Sequence, residues 1–148
     1  MKVWQSLVGI VLMISALPTL AHSSKDPIES LVIYRHALFG LIDTHVEKMG
    51  HVVKGHQAYN QEEIQISADV VAALAKVAEQ GFAIESAVKG SDAKPDVWKN
   101  KEDFAIELQQ LIDTSEALAN NAGNEDDFKT NFIPLVKTCK SCHNKYRK

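Results

Sequence analysis

The chain has 148 residues, 45% of them hydrophobic, with 16 Lys and Arg against 19 Asp and Glu and a formal net charge of −3. That length fits one domain, and a mildly acidic, evenly spread charge excludes a nucleic-acid binder.

Residues 1–21 read as a secretory leader. Lys2 is the only charge before Lys25, an apolar run covers Leu7 to Leu17, and Thr19-Leu20-Ala21 offers small residues for cleavage. The run is short for crossing about 30 Å of hydrocarbon, so removal after Ala21 is expected rather than anchorage. Taking 21 from 148 leaves residues 22–148, a single exported domain with no further membrane segment. Lys2 leaves with the leader, so 15 basic residues face 19 acidic ones and the charge becomes −4. Export by this route predicts a periplasmic protein.

Four segments then carry helical periodicity, and none shows sustained strand alternation. The first, about Ile28 to Lys54, places Leu31, Leu38, Phe39, Ile42, Val46, Met49 and Val53 on one stripe. Asp26 and Pro27 suit its start and Gly55 its end. The second runs from about Gln61 to Gln80 behind Asn60, with Ile64, Ala68, Val71, Ala75 and Ala78 in phase and Gly81 as a stop. Phe82 to Asn100 reads as the longest connection. The third helix, about Lys101 to Asn121, aligns Phe104, Leu108, Leu111, Ser115, Leu118 and Ala122. After a turn at Gly123-Asn124, the fourth runs from about Glu125 to Arg147 and aligns Phe128, Phe132, Leu135, Val136, Cys139, Cys142, His143 and Tyr146. Pro134 inside it predicts a kink. The pattern specifies an all-α, antiparallel up-down four-helix bundle.

The chemistry concentrates at Cys139-Lys140-Ser141-Cys142-His143. Cys-x-x-Cys-His is the attachment pattern of c-type haem: two thiols one helical turn apart bond the ring, and His143 is placed to ligate the iron. Zinc would want a second ligand pair that the sequence lacks, and a thioredoxin-like redox pair would want a strand–helix setting. Arg35 adds a second feature, because it sits on the apolar seam spaced by seven with Ile28, Ile42 and Met49. Either it snorkels to solvent along its stem, or it is buried and needs an anion such as a haem propionate, which its planar fork would grip. Met49 is the only methionine left after the leader, about 15 Å along the axis from Phe39, and reads as core rather than as an iron ligand. No nucleophile–base pair or acidic dyad stands out, so no enzyme is read.

With a C-terminal haem motif, Tyr34-Arg35, Val53-Lys54-Gly55 and Pro95-Asp96-Val97-Trp98, the chain resembles the class II c-type cytochromes, specifically the cytochromes c′. That family is itself a standard example of the bundle topology inferred above. The resemblance covers essentially the whole mature chain. It implies one covalently attached haem c and a five-coordinate, high-spin iron with His143 on one side and an apolar residue on the other. Counting on from Arg35, that residue is Phe39. Arg147 matches the family's basic residue beside the histidine, and His36 stands where many relatives carry glutamine near a propionate. The resemblance further implies nitric oxide, and more weakly carbon monoxide, as ligands, and a homodimer through the first two helices. The rival class is an electron carrier serving a redox partner protein. His45, His51 and His56 read as surface histidines, with His22 in the frayed start.

Overall fold

The computed structural model describes residues 26–148, so the leader and His22 lie outside the described residues. The helices are α1 (Pro27–Val53), α2 (Gln61–Ala75), α3 (Asp96–Lys99), α4 (Lys101–Asn120) and α5 (Glu125–Tyr146). The four long ones form the antiparallel bundle that the periodicity specifies, and α3 is a single turn in the long connection.

Their ends follow from local chemistry. The Asp26 side chain accepts from the Ile28 N–H at 2.8 Å, with Pro27 in the first helical position. α1 closes on Gly55, whose φ of +73° lets its N–H reach the Val52 carbonyl while the His56 N–H reaches that of His51. This paired closure satisfies two carbonyls that the helix end would otherwise leave open. Asn60 caps α2 through the Glu63 N–H, and Asn124 caps α5 through the Asp127 N–H. α5 continues through Pro134 to Tyr146.

α2 stops five residues before the end that periodicity predicts, and the chain tightens into a 3₁₀ turn over Ala78–Phe82. Two side chains of α1 hold this turn. The Tyr34 hydroxyl donates to the Val77 carbonyl at 3.0 Å, which also accepts from the Gln80 N–H, and Arg35 Nη1 donates to the Gly81 carbonyl at 2.7 Å. Gly81 is therefore not a stop in left-handed geometry. A Cβ there would lie 2.8 Å from Arg35 Cγ and 3.0 Å from Tyr34 Cδ1, so glycine is needed for close approach.

Sequential helices pack as neighbours, α1 on α2, α2 on α4 and α4 on α5. Ile64, Val71, Leu118, Phe128 and Leu135 are fully or almost fully buried between them. Met49 is 0% exposed, as expected of a core residue. Val136 departs from the predicted stripe: it is exposed, because the buried face of α5 passes through Leu135 and Thr138. His45 also departs from the surface position expected, being half-buried with Nδ1 enclosed and lacking a hydrogen-bond partner among the described residues. His51 and His56 are exposed. Near one end the Tyr59 hydroxyl donates to the Ala122 carbonyl at 2.6 Å, tying the α1–α2 loop to the α4–α5 turn. There α1 and α5 come together, Gly50 facing Phe132. Towards the other end a cavity lies between them.

Among the described residues, no helix is long and apolar enough to cross a membrane.

Candidate functional site

That cavity encloses about 470 Å³ between α1, α4, α5 and the long connection. Arg35, His36, Phe39, Cys139, Cys142, His143 and Arg147, all singled out in the sequence, line it together. Phe82, Val97, Phe104, Leu108 and Leu111 complete most of its apolar wall.

Cys139 and Cys142 are free and half-buried. Burial raises the pKa of the Cys139 thiol. Burial, and then the nearby Glu107 carboxylate, push Cys142 up to about 11. Both are therefore neutral thiols at ordinary pH, unlike a redox-active pair, whose nucleophilic cysteine is held below the usual thiol range. His143 is shifted down, chiefly by burial and then by Arg147, with Asp43 opposing. A lowered pKa favours the neutral imidazole, the form that ligates a metal. Among the described residues, no group of three or more His, Cys, Asp and Glu side chains converges to hold a bare metal ion.

Arg35 is 5% exposed, which removes the snorkelling alternative. Its partners within the protein are neutral oxygens. Nη1 donates to the Gly81 carbonyl and Ser86 Oγ, both at 2.7 Å, and Nη2 to the Ser86 carbonyl at 3.2 Å and Ser91 Oγ at 3.0 Å. The four outer N–H groups thus meet neutral oxygens, and Phe82 and Trp98 lie within cation–π distance. These bonds fold the long connection onto α1.

At the cavity mouth, His36 Nε2 lies 3.8 Å and Arg147 Nη2 3.9 Å from the same Asp92 carboxylate oxygen. All three side chains are more than half exposed, so these contacts contribute little stability. The Arg147 backbone is anchored differently, through its N–H to the His143 carbonyl and a bridge to Ala93.

Sequence reasoning missed Glu107, which is buried on α4 and lines the same wall. Its position three residues after Phe104 and four before Leu111 puts it on the buried stripe. A charge on an apolar stripe, the feature that identifies Arg35, was the available signal. Phe82 and Asp92 lie in the connection, where no periodicity marks them.

The residues present fit a covalent haem: two neutral thiols and an adjacent imidazole open onto one largely apolar cavity. Comparison with known proteins agrees. A family model described as Cytochrome C′ matches residues 30–147. A cytochrome c′ of Alcaligenes xylosoxydans xylosoxydans is 30% identical over 122 residues, covering 81% of this chain and 94% of the relative. The solved cytochrome c prime from Shewanella frigidimarina superposes with a TM-score of 0.79 at 32% identity, covering 83% of this chain and 98% of that one. A nitric oxide complex of a mutant cytochrome c prime from Alcaligenes xylosoxidans gives 0.75 at 29% identity, covering 82% and 96%.

Proposed function

Because the chain belongs to the cytochrome c′ family, whose members carry covalently attached haem c, we propose that it is an exported haem protein that binds nitric oxide, and more weakly carbon monoxide, at a five-coordinate, high-spin iron. When bound, haem supplies the iron that takes the gas. Cys139 and Cys142 would hold the ring, His143 would ligate the iron, and Arg147 would modulate that histidine electrostatically. Arg35 would present its charge, rather than a free fork, towards the propionates, with His36 at the rim.

The observation that carries the reading is that Phe39 on α1 and His143 on α5 line the same cavity. Phenylalanine cannot ligate iron, and the fully buried Met49 is not among the lining residues. The Phe39 ring itself offers a gas ligand no hydrogen-bond donor, which would favour neutral diatomics and give bound dioxygen little polar stabilisation. The nitric oxide complex of a relative supports the choice of ligand. The electron-carrier alternative keeps one specific support: His36 also lines the cavity and carries an imidazole capable of ligation.

The proposal places the mature protein in the periplasm, after removal of residues 1–21, as a homodimer through α1 and α2. Absorption spectra of the ferrous protein, with and without nitric oxide, test the central assignment. A high-spin spectrum that changes on adding the gas is expected. A low-spin spectrum that does not respond would assign the protein to electron transfer.

A further inference from the structure

Glu107 is 4% exposed, yet it is not fully compensated. Its Oε1 accepts from Ser141 Oγ at 3.0 Å and lies 2.8 Å from Lys145 Nζ, while Oε2 is buried without a partner among the described residues. Lys145 is shared, because the same ammonium donates to both oxygens of Asp103 at 3.0 and 3.3 Å. One positive charge thus serves two carboxylates, leaving the trio net negative. Asp103 and Lys145 are about half exposed and screened by water. Glu107 is not, and it lines the cavity beside Cys142.

We infer that Glu107 is a fixed negative charge in the cavity wall that holds the reduction potential of the haem down. The inference rests on the haem reading above and goes beyond it by naming what sets the redox equilibrium. Ferric iron carries one more positive charge than ferrous iron, so a nearby anion stabilises the oxidised state. A buried anion does so more strongly than a solvated one, since little water intervenes. Arg35 is a buried cation lining the same cavity from α1 and would act in the opposite sense. Ser141 lies within the attachment segment, so its bond ties Glu107 to the residues that would hold the ring.

The test is a redox titration of purified holoprotein carrying Glu107→Gln, which keeps the size and an acceptor for Ser141. The equilibrium constant for reduction should rise about tenfold, equivalent to about 59 mV for one electron. Asp103→Asn, which removes a screened charge, should change it by less than about threefold. Lys145→Met, which removes a charge exposed to the same degree, should lower it by less than about threefold. A Glu107→Gln protein that loses stability but keeps the wild-type potential would make Glu107 a clamp between α4 and α5 and overturn the inference. Should that variant not accumulate, Glu107→Met, which also removes the charge at similar volume, should show the same rise, and a wild-type potential in it overturns the inference equally. Intact mass separately reports whether wild type carries haem; if it does not, the underlying reading fails, and this inference with it.

Discussion

Arg35 and Ser86 are joined twice, through Nη1 to the serine hydroxyl at 2.7 Å and Nη2 to its carbonyl oxygen at 3.2 Å. Truncating the arginine would leave Ser86, Ser91 and Gly81 oxygens short of donors in a buried place. Arg35→Met should therefore destabilise the protein by about 3 kcal/mol in denaturant unfolding, because buried acceptors lose charge-assisted bonds. Arg35→Lys keeps the charge but cannot span the same acceptors with a planar fork, so it should recover only part of that loss. Equal stability of Arg35→Met and wild type would mean that the connection holds itself.

Gly81→Ala should cost about 1–3 kcal/mol, since its Cβ would press on Arg35 Cγ and the Tyr34 ring. Gly123→Ala, where a Cβ meets nothing within 4 Å, is the matched control and should be near neutral. Thermal unfolding of the two variants side by side decides whether close approach is the reason for glycine.

Asp103 gives a pH dependence. Hydrogen bonds from the Tyr146 hydroxyl at 2.6 Å and from Lys145 hold its carboxyl below the ordinary range, against a smaller opposing effect of burial. Tyr146 is correspondingly pushed up to about 12, by burial first and then by Asp103. A carboxyl depressed in the folded state stabilises it above the unfolded pKa of 3.8, and that contribution fades as pH falls through the lower folded value. Asp103→Asn should accordingly melt below wild type at pH 7, with the two curves converging below about pH 4. A constant gap down to acid pH would assign the effect to packing.

Phe39→Ala should speed carbon monoxide association to the ferrous protein by removing a ring from the cavity wall. Phe39→Met should shift the absorption spectrum towards a six-coordinate, low-spin form, because a thioether can ligate iron. Stopped-flow rates unchanged in Phe39→Ala would move the steric block to another lining residue.

Cys139→Ala combined with Cys142→Ala should abolish covalent haem, read as the intact mass of the bare polypeptide from a host that matures such cytochromes. Wild type should carry the mass of one haem. Haem retained by the double variant after denaturation would mean that attachment lies elsewhere.

The bundle was legible because each long helix buries one face, and burial leaves a stripe at helical spacing. Ile64, Ala68, Val71, Ala75 and Ala78 are all buried as the period requires, although the helix carrying them ends before Ala78. The period reports which face is inward and says nothing of the backbone bonds. The 3₁₀ turn is held by Tyr34 and Arg35 from a helix more than 40 residues away in sequence, and no local signal records it. Arg35 stood out as a charge among apolar neighbours, but its partners could not be read from the sequence. Neutral oxygens in a loop of Gly, Ser and Asp residues leave no pattern. Glu107 follows the rule that exposes Arg35, but a stripe read only for its apolar members passes over it.

The guanidinium of Arg35 closes chain loops of 46, 51 and 56 residues. Loop-closure entropy grows only as the logarithm of length, so these loops differ by no more than a few tenths of a kcal/mol. Once the first bond forms, the later ones close much shorter loops, and each adds a smaller entropic cost than the first. Because one guanidinium makes all four bonds, the segment from Gly81 to Ser91 should be released together when Arg35 moves away. In amide exchange it should behave as one opening unit, protected or released as a whole, with Arg35 as the group that sets its threshold.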